Sequence, residues 1–353
     1  MATAIEAVHE STYAGPTSVA SPHPVVFFLA DEPDIHAIGT LDPDRDLRHF
    51  RHGERSWVAQ TFLRLRAAGF PVILTDIPPE RGMVVFHAKH KHELARAAVG
   101  RPELVFVAIR ADNSSALLAD FEVLQNGRFE DGRRRFTIPF WPQPGLISRD
   151  PGRGSRIETV GYIGLEENLH PDFRTDSWPR QLAALGIEWV CRRTRFRAMG
   201  DPALIDWEDY SRIDVVLTVR PTCRELEFAK PASKLVNAWR AGAPALVGAE
   251  YACREIRLSD DDYIEVRCQT DAIVALSRLK RDPGLYSRMV INGRRRAAEF
   301  THEALVDRWA QLLFDTIPRR IADGELSWTR RLPIPLRVHA RRLRRLLMGE
   351  RAR

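Results

Sequence analysis

Short apolar segments of strand length alternate with segments of helical period along most of this chain, and that alternation restricts it to an α/β fold with parallel sheets. A first series places strands over 25–30, 71–75, 83–86, 104–109 and 121–124, with a helical pattern over 57–68 that stops at Gly69. A connector over 138–151 carries four prolines and no helical period, and it reads as a rigid linker. A second series follows, with strands over 159–163, 187–191, 214–219, 245–247 and 263–266. Its helices are expected over 177–185, 271–280, 283–300 and 302–314, besides one that begins at Pro231. The expected organisation is therefore two doubly wound domains facing a cleft. They span 24–137 and 156–316, joined by a linker at 138–155, with a loose tail at 1–23 and a basic tail at 317–353.

In open parallel sheets, ligands bind outside the carboxyl ends of the strands. Applied to the first domain, that rule selects Asp31, Asp76, His87, Asp112 and Asn126; applied to the second, it selects Gly164, Arg192, Arg220, Lys230, Lys234 and Glu250. The first set mixes acid and base. The second is cationic with one carboxylate, so an anionic donor on the second domain and an acceptor activated by the first is the simplest reading. The group that activates the acceptor would come from Asp31, His87 or Asp112, with His87 and Asp112 the preferred pair, acting as a base if the resemblance described below holds and transfer is inverting; each is also a suitable strand-end turn residue.

The segment 230–248, KPASKLVNAWRAGAPALVG, sharpens this expectation. Pro231 suits the first helical position, Gly242 the position past the helix end, and Pro244 stops continuation before a buried strand. Lys230 and Lys234 fall at the positive end of the helix dipole. Cations there are mildly unfavourable unless an anion such as a diphosphate joins them; the alternative is a pair of solvated surface charges.

Several function classes are excluded. The four cysteines, Cys191, Cys223, Cys253 and Cys268, are widely spaced, which argues against a zinc site or a disulfide framework and fits a reducing compartment. No apolar run approaches membrane-spanning length, and the N-terminus lacks a basic start with an apolar core, so a cytoplasmic location is expected. The acidic run from Asp42 to Asp46 departs from a calcium loop, and His87, His90 and His92 match no established metal spacing, so no metal and no cofactor are expected. The net charge of +6 belongs to the tail, since 317–353 holds eleven arginines against Asp323, Glu325 and Glu350. Residues 331–353 mix leucines with these arginines. They read as an interfacial helix for an anionic membrane surface, at the inner face, or as a solvated helix packed on the body by its leucines. Without aromatic interleaving, nucleic acid is not expected.

The second half also resembles a known family. The turn GYIGLEENL at 161–169, WEDYSRIDVVLTVR at 207–220, KLVNAWRAGAPALVG at 234–248 and the helical run 271–313 are similar to glycosyltransferases of the GT-B fold, which has two Rossmann-like domains. The resemblance covers about 156–315 and reaches the first domain only by topology. It implies a nucleotide-sugar donor on the second domain, Lys234 and Arg220 neutralising its diphosphate without a metal, and Glu250 accepting from ribose or sugar hydroxyls. The implied acceptor is a hydroxyl of a glycan or lipid-linked precursor in cell-surface glycan or glycolipid synthesis. One departure stands out: many retaining members carry two glutamates eight positions apart, where this chain has Ala229 and Asn237, with Glu225 and Glu227 out of register. A nucleotide-sugar epimerase of the same fold and a non-catalytic sugar-nucleotide-binding scaffold are the alternatives.

Overall fold

A computed structural model describes residues 24–50, 53–194, 206–221 and 230–347. Six parallel strands make the first sheet: β1 (Val25–Phe28), β2 (Val72–Thr75), β3 (Gly82–His87), β4 (Leu104–Ile109), β5 (Phe121–Leu124) and β6 (Arg135–Thr137), in the order β2-β1-β3-β4-β5-β6. β1, β3, β4 and β5 are buried along their whole length, which explains why they are mostly apolar, with Glu122 the charged exception in β5. β6, the sequence Arg-Phe-Thr at the sheet edge, has no such run and escapes the sequence reading; its pairing with β5 sets Arg135 opposite Glu122.

The second sheet has five parallel strands, β7 (Thr159–Leu165), β8 (Glu188–Thr194), β9 (Val215–Thr218), β10 (Ala245–Val247) and β11 (Ile264–Glu265), ordered β11-β10-β9-β7-β8. Both sheets thus step outward once, return past their first strand and continue on the other side. The strand order reverses between β1 and β3 in the first sheet and between β7 and β9 in the second, and these switch points open the crevices where ligands sit.

Helix Gln60–Ala67 covers one face of the first sheet, with Phe62 and Leu65 packed among Phe27, Val85 and Val107. The same core takes Leu305 and Trp309 from helix His302–Gln311, then Leu313 and Ile317. The second domain therefore ends near Phe300, not at 316, and the chain crosses back to complete the first lobe. The connector is tied at both ends: Trp141 lies in the first core and donates to Thr61 Oγ1 at 2.8 Å, while buried Arg149 donates to the fully buried Asp214 carboxylate at 2.9 Å in the second lobe.

The C-terminal segment differs most from expectation. Described through Leu347, it is no separate tail. Helix Ile334–Leu347 packs on the first lobe, and it does so through arginines. Arg337 and Arg341 are 2% and 8% exposed, and both guanidiniums pair with the buried carboxylate of Asp120. Arg341 also donates to the carbonyls of Leu117, Leu118 and Ala119. The planar fork of arginine fits such a set of acceptors, which is why cations occupy the inner face. The leucines point outward, against the reading that packs them on the body: Leu346 and Leu347 are 70% and 86% exposed, and Leu336 and Leu343 are exposed as well. Residues 1–23 and 348–353 lie outside the described residues.

Candidate active site

Helix Ser233–Ala241 sets the geometry. Its apolar face buries Leu235, Val236, Ala238 and Trp239, and Trp239 Nε1 donates to the Asp262 carbonyl at 2.8 Å. Gly242 ends the helix in the left-handed conformation at φ 74°. With that face committed, Lys234 in the first turn turns toward the carboxyl end of β7. Its Nζ donates to the Tyr162 hydroxyl at 3.1 Å and lies 4.4 Å from the centre of the ring. Tyr162 in turn donates to the Leu165 carbonyl at 2.6 Å.

Gly164 provides the room for that lysine. Its φ is +146°, and a Cβ there would sit 2.7 Å from Lys234 Nζ and 2.9 Å from Cε. Gly164→Ala is accordingly expected to displace the ammonium group and weaken binding of an anionic ligand at this crevice by roughly 10- to 100-fold. Calorimetric titration checks this, and an unchanged affinity would detach Gly164 from the site.

Burial, reinforced by the Arg220 guanidinium, holds the Lys234 pKa down to about 7 against the opposing pull of Glu250. Arg220 follows β9 and Glu250 follows β10, and the two form an ion pair with side chains only 10% and 14% exposed. Among the described residues, Arg220 Nε and Glu250 Oε1 are buried without a hydrogen-bond partner. One orphaned donor and one orphaned acceptor, side by side at a switch point, suit a ligand that brings both an anionic oxygen and a hydroxyl.

The first lobe meets this cluster at the other wall. Lys230 Nζ pairs with the Asp112 carboxylate across the crevice, and Gln125 Nε2 donates to Asp112 Oδ1 at 3.2 Å. Asn126 Nδ2 donates to the Lys230 carbonyl at 3.2 Å, and the Gly127 amide donates to Glu255 at 2.8 Å, so the lobes are pinned together beside the site. Asn237, at the position of the second family glutamate, is engaged elsewhere, its Oδ1 accepting from the Gln143 amide of the connector at 3.0 Å. Ala229, Glu225 and Glu227 lie outside the described residues.

His87 ends β3, buried, paired in register with Ile109 at the end of β4, from which the chain leads to Asp112. Its Nδ1 accepts from the Lys89 amide at 3.3 Å, so the ring proton resides on Nε2, which is buried with no partner among the described residues. Burial lowers its pKa to about 4, with Glu54 opposing. A neutral imidazole with its lone pair already engaged is a hydrogen-bond donor at neutral pH, which shifts the expected base role to Asp112. Asp31 follows β1 with φ 57°, exposed, its carboxylate close enough to act on His90. Asp31 and Ala111 are the non-glycine residues with positive φ among those described, and each lies just past a strand end that faces the crevice.

The structure thus gathers Gly164, Arg220, Lys230, Lys234, Glu250 and Asp112 into one site, with His87 beside Asp112. Arg192 is not among them: it leaves the edge strand β8 and is held by Asp209 at 3.0 Å and Asp206 at 3.2 Å on its own lobe. The sequence reading also missed Tyr162, whose only signal was its place two residues before Gly164. Among the described residues, no three His, Cys, Asp or Glu side chains converge as metal ligands.

Compared with solved structures, the chain is similar to HepE of Anabaena in complex with UDP and glucose, with a TM-score of 0.53 and 10% identity over 82% of this chain and 99% of that one. HepE in complex with UDP-glucose gives a TM-score of 0.51 and 12% identity over the same shares. Sucrose-phosphate synthase from Thermosynechococcus elongatus gives a TM-score of 0.50 and 13% identity over 86% of this chain and 100% of the synthase. No protein-family profile and no curated protein matches the sequence. At these identities the likeness establishes architecture: the chain is built on the two-lobed GT-B fold of glycosyltransferases.

Proposed function

We propose that this protein is a glycosyltransferase, moving a sugar from a nucleotide-sugar donor on the second lobe to an acceptor hydroxyl presented at the first. The observation that carries this reading is Lys234, a half-buried ammonium group kept against Tyr162 and Gly164 at the crevice, beside Arg220 and the start of its own helix. Glycosyl transfer leaves a nucleoside diphosphate, and fixed cations placed where that charge develops lower the barrier. Lys234 and Arg220 would take the diphosphate oxygens and Glu250 Oε1 a sugar or ribose hydroxyl. Lys230 would exchange its pair with Asp112 for phosphate, leaving that carboxylate to accept the acceptor proton. The His87 Nε2–H would donate to a bound hydroxyl, and Asp31 borders the same rim. HepE, solved with UDP and glucose, adds support for a nucleotide-sugar donor. A glycan or lipid-linked acceptor is the proposed partner.

The test is incubation with a panel of nucleotide sugars, following melting temperature and acceptor-dependent release of nucleoside diphosphate. At least one donor is expected to raise the melting temperature, and Asp112→Asn to lower kcat by about 100-fold with little change in donor KM. Donor conversion without any acceptor would indicate an epimerase, and binding without turnover across many acceptors would indicate a scaffold; either result ends the transferase reading.

A further inference from the structure

We propose that the outward face of helix Ile334–Leu347 docks this protein on an anionic phospholipid bilayer, with Leu336, Leu343, Leu346 and Leu347 entering the interface and Arg342 and Arg344 meeting lipid phosphates on either side of them. The geometry follows from the helix period. Arg337 and Arg341 share the inner face and are consumed by Asp120. At 100° per residue, Leu336, Leu343 and Leu347 fall in one stripe roughly 120° round from the arginine face, Leu346 lies nearly opposite that face, and Arg342 and Arg344 flank the four leucines. All six are exposed. Leucine between flanking arginines is the arrangement of a helix lying in a membrane interface, where arginine stems reach up to the headgroups.

Two further observations select a bilayer. Trp328, on the short turn Trp328–Arg331 beside the helix, is 68% exposed, and tryptophan is favoured at the headgroup level. The turn is tied to the helix by Arg341 Nε donating to Thr329 Oγ1 at 3.0 Å. Next to the helix, a cavity of about 440 Å³ is lined by Arg133, Arg134 and Arg344. The carboxylates of the same cavity are already engaged: Asp131 by Arg135, Glu122 by Ser115 and the Ala116 amide, Glu325 by Arg320, and Asp120 by Arg337 and Arg341. Burial and the neighbouring Arg341 push Arg134 below its ordinary range against the pull of Asp120 and Glu122, and Arg133 lies 4.0 Å from Glu325, so the exposed Arg344 is the cation of this rim best placed to meet an anionic headgroup. A second copy fits less well. A 14-residue helix offers a strip about 20 Å by 10 Å, far short of the ~800 Å² per partner of a stable dimer.

Asp120 precedes β5, so the helix lies at the amino-terminal edge of the first sheet, away from the strand ends that face the crevice. Docking therefore leaves the crevice free, and the proposal stands apart from the assigned reaction. Among the described residues no helix is long and apolar enough to cross a membrane, so the contact proposed is a surface one.

The test is cosedimentation of the full chain with vesicles of phosphatidylcholine alone and of phosphatidylglycerol mixed with phosphatidylcholine. Binding is expected only to the mixed vesicles, weakening as salt is raised. Leu343→Glu with Leu346→Glu is expected to abolish it, and Arg342→Gln with Arg344→Gln to reduce it about 30-fold. Since all four side chains are exposed, melting temperature and nucleotide-sugar binding should stay at wild-type values, which separates docking from folding and from the active site. No binding to mixed vesicles, equal binding to both kinds, or binding retained by the double leucine variant would overturn the proposal. So would a dimer in sedimentation velocity that the leucine substitutions dissolve, because it would assign the face to a second copy.

Discussion

Replacing Lys234 with alanine is expected to weaken nucleotide-sugar binding by about 100-fold, the loss of a partly desolvated, charge-assisted contact worth ~3 kcal/mol. The pH dependence carries more information than the single value. The free site holds Lys234 at about 7, and phosphate oxygens bound beside it would favour the ammonium form and raise that pKa. Wild-type affinity is thus greatest below about pH 7 and falls as pH rises above it. A nucleotide-sugar diphosphate, esterified at both ends, has no proton to lose in this range, so the slope reports the protein. Lys234→Ala should flatten it. Stability moves the other way. Because folding depresses this lysine from its ordinary 10.5, the unfolded chain binds more protons between about pH 7 and 10.5. Its contribution to stability therefore rises with pH across that window, and the variant should lose this slope. Calorimetry and denaturant titrations at several pH values measure both; equal affinities for the two proteins would remove Lys234 from the site.

Asp120→Ala is expected to cost about 3–5 kcal/mol of stability, because it strands two buried guanidiniums rather than removing one contact. Burial alone would raise the Asp120 pKa, but Arg337 and Arg341, with the Phe106 amide, hold it below the ordinary carboxylate range. A carboxylate shifted downward stabilises the fold above its unfolded pKa, and that contribution is lost as pH falls through the folded value. The variant should therefore lose part of the acid dependence seen in wild type. Urea unfolding at neutral pH and in acid, combined with limited proteolysis around 333–347, reads both effects. A loss below about 1 kcal/mol would mean that the arginines do not anchor this helix.

These two residues also show what could be read from the residues alone. Strands buried on both faces announce themselves as apolar runs, so β4, β5 and β10 coincide with their expected bounds. β6 could not be read that way, because an edge strand of Arg-Phe-Thr has no apolar signature. The return of helix His302–Gln311 to the first lobe was equally hidden: its apolar stripe says that something covers it, not which lobe does. The same limit left the C-terminal helix with two readings. An amphipathic sequence has two faces, and only the buried carboxylate of Asp120, more than 200 positions earlier in the chain, makes the arginine face the inner one.

At the candidate site, the strand-end rule selected Lys234, Arg220 and Glu250, because β7, β9 and β10 lie at or next to the switch point. It also selected Arg192, because the strand was expected to end at 191; β8 instead runs on to Thr194 at the sheet edge, and this arginine is taken by Asp206 and Asp209. His87 was identifiable as a residue near the crevice but not as a donor, since the tautomer depends on the Lys89 amide against its Nδ1.

The central claim is geometric, so its most direct measurement is the position of the diphosphate in a crystal of the full chain grown with a nucleotide sugar. The account predicts phosphate oxygens within about 3 Å of Lys234 Nζ, over Gly164 and beside Arg220, with Lys230 drawn away from Asp112. A diphosphate seated on the first lobe, or outside the crevice with Lys234 still bonded only to Tyr162, would contradict it.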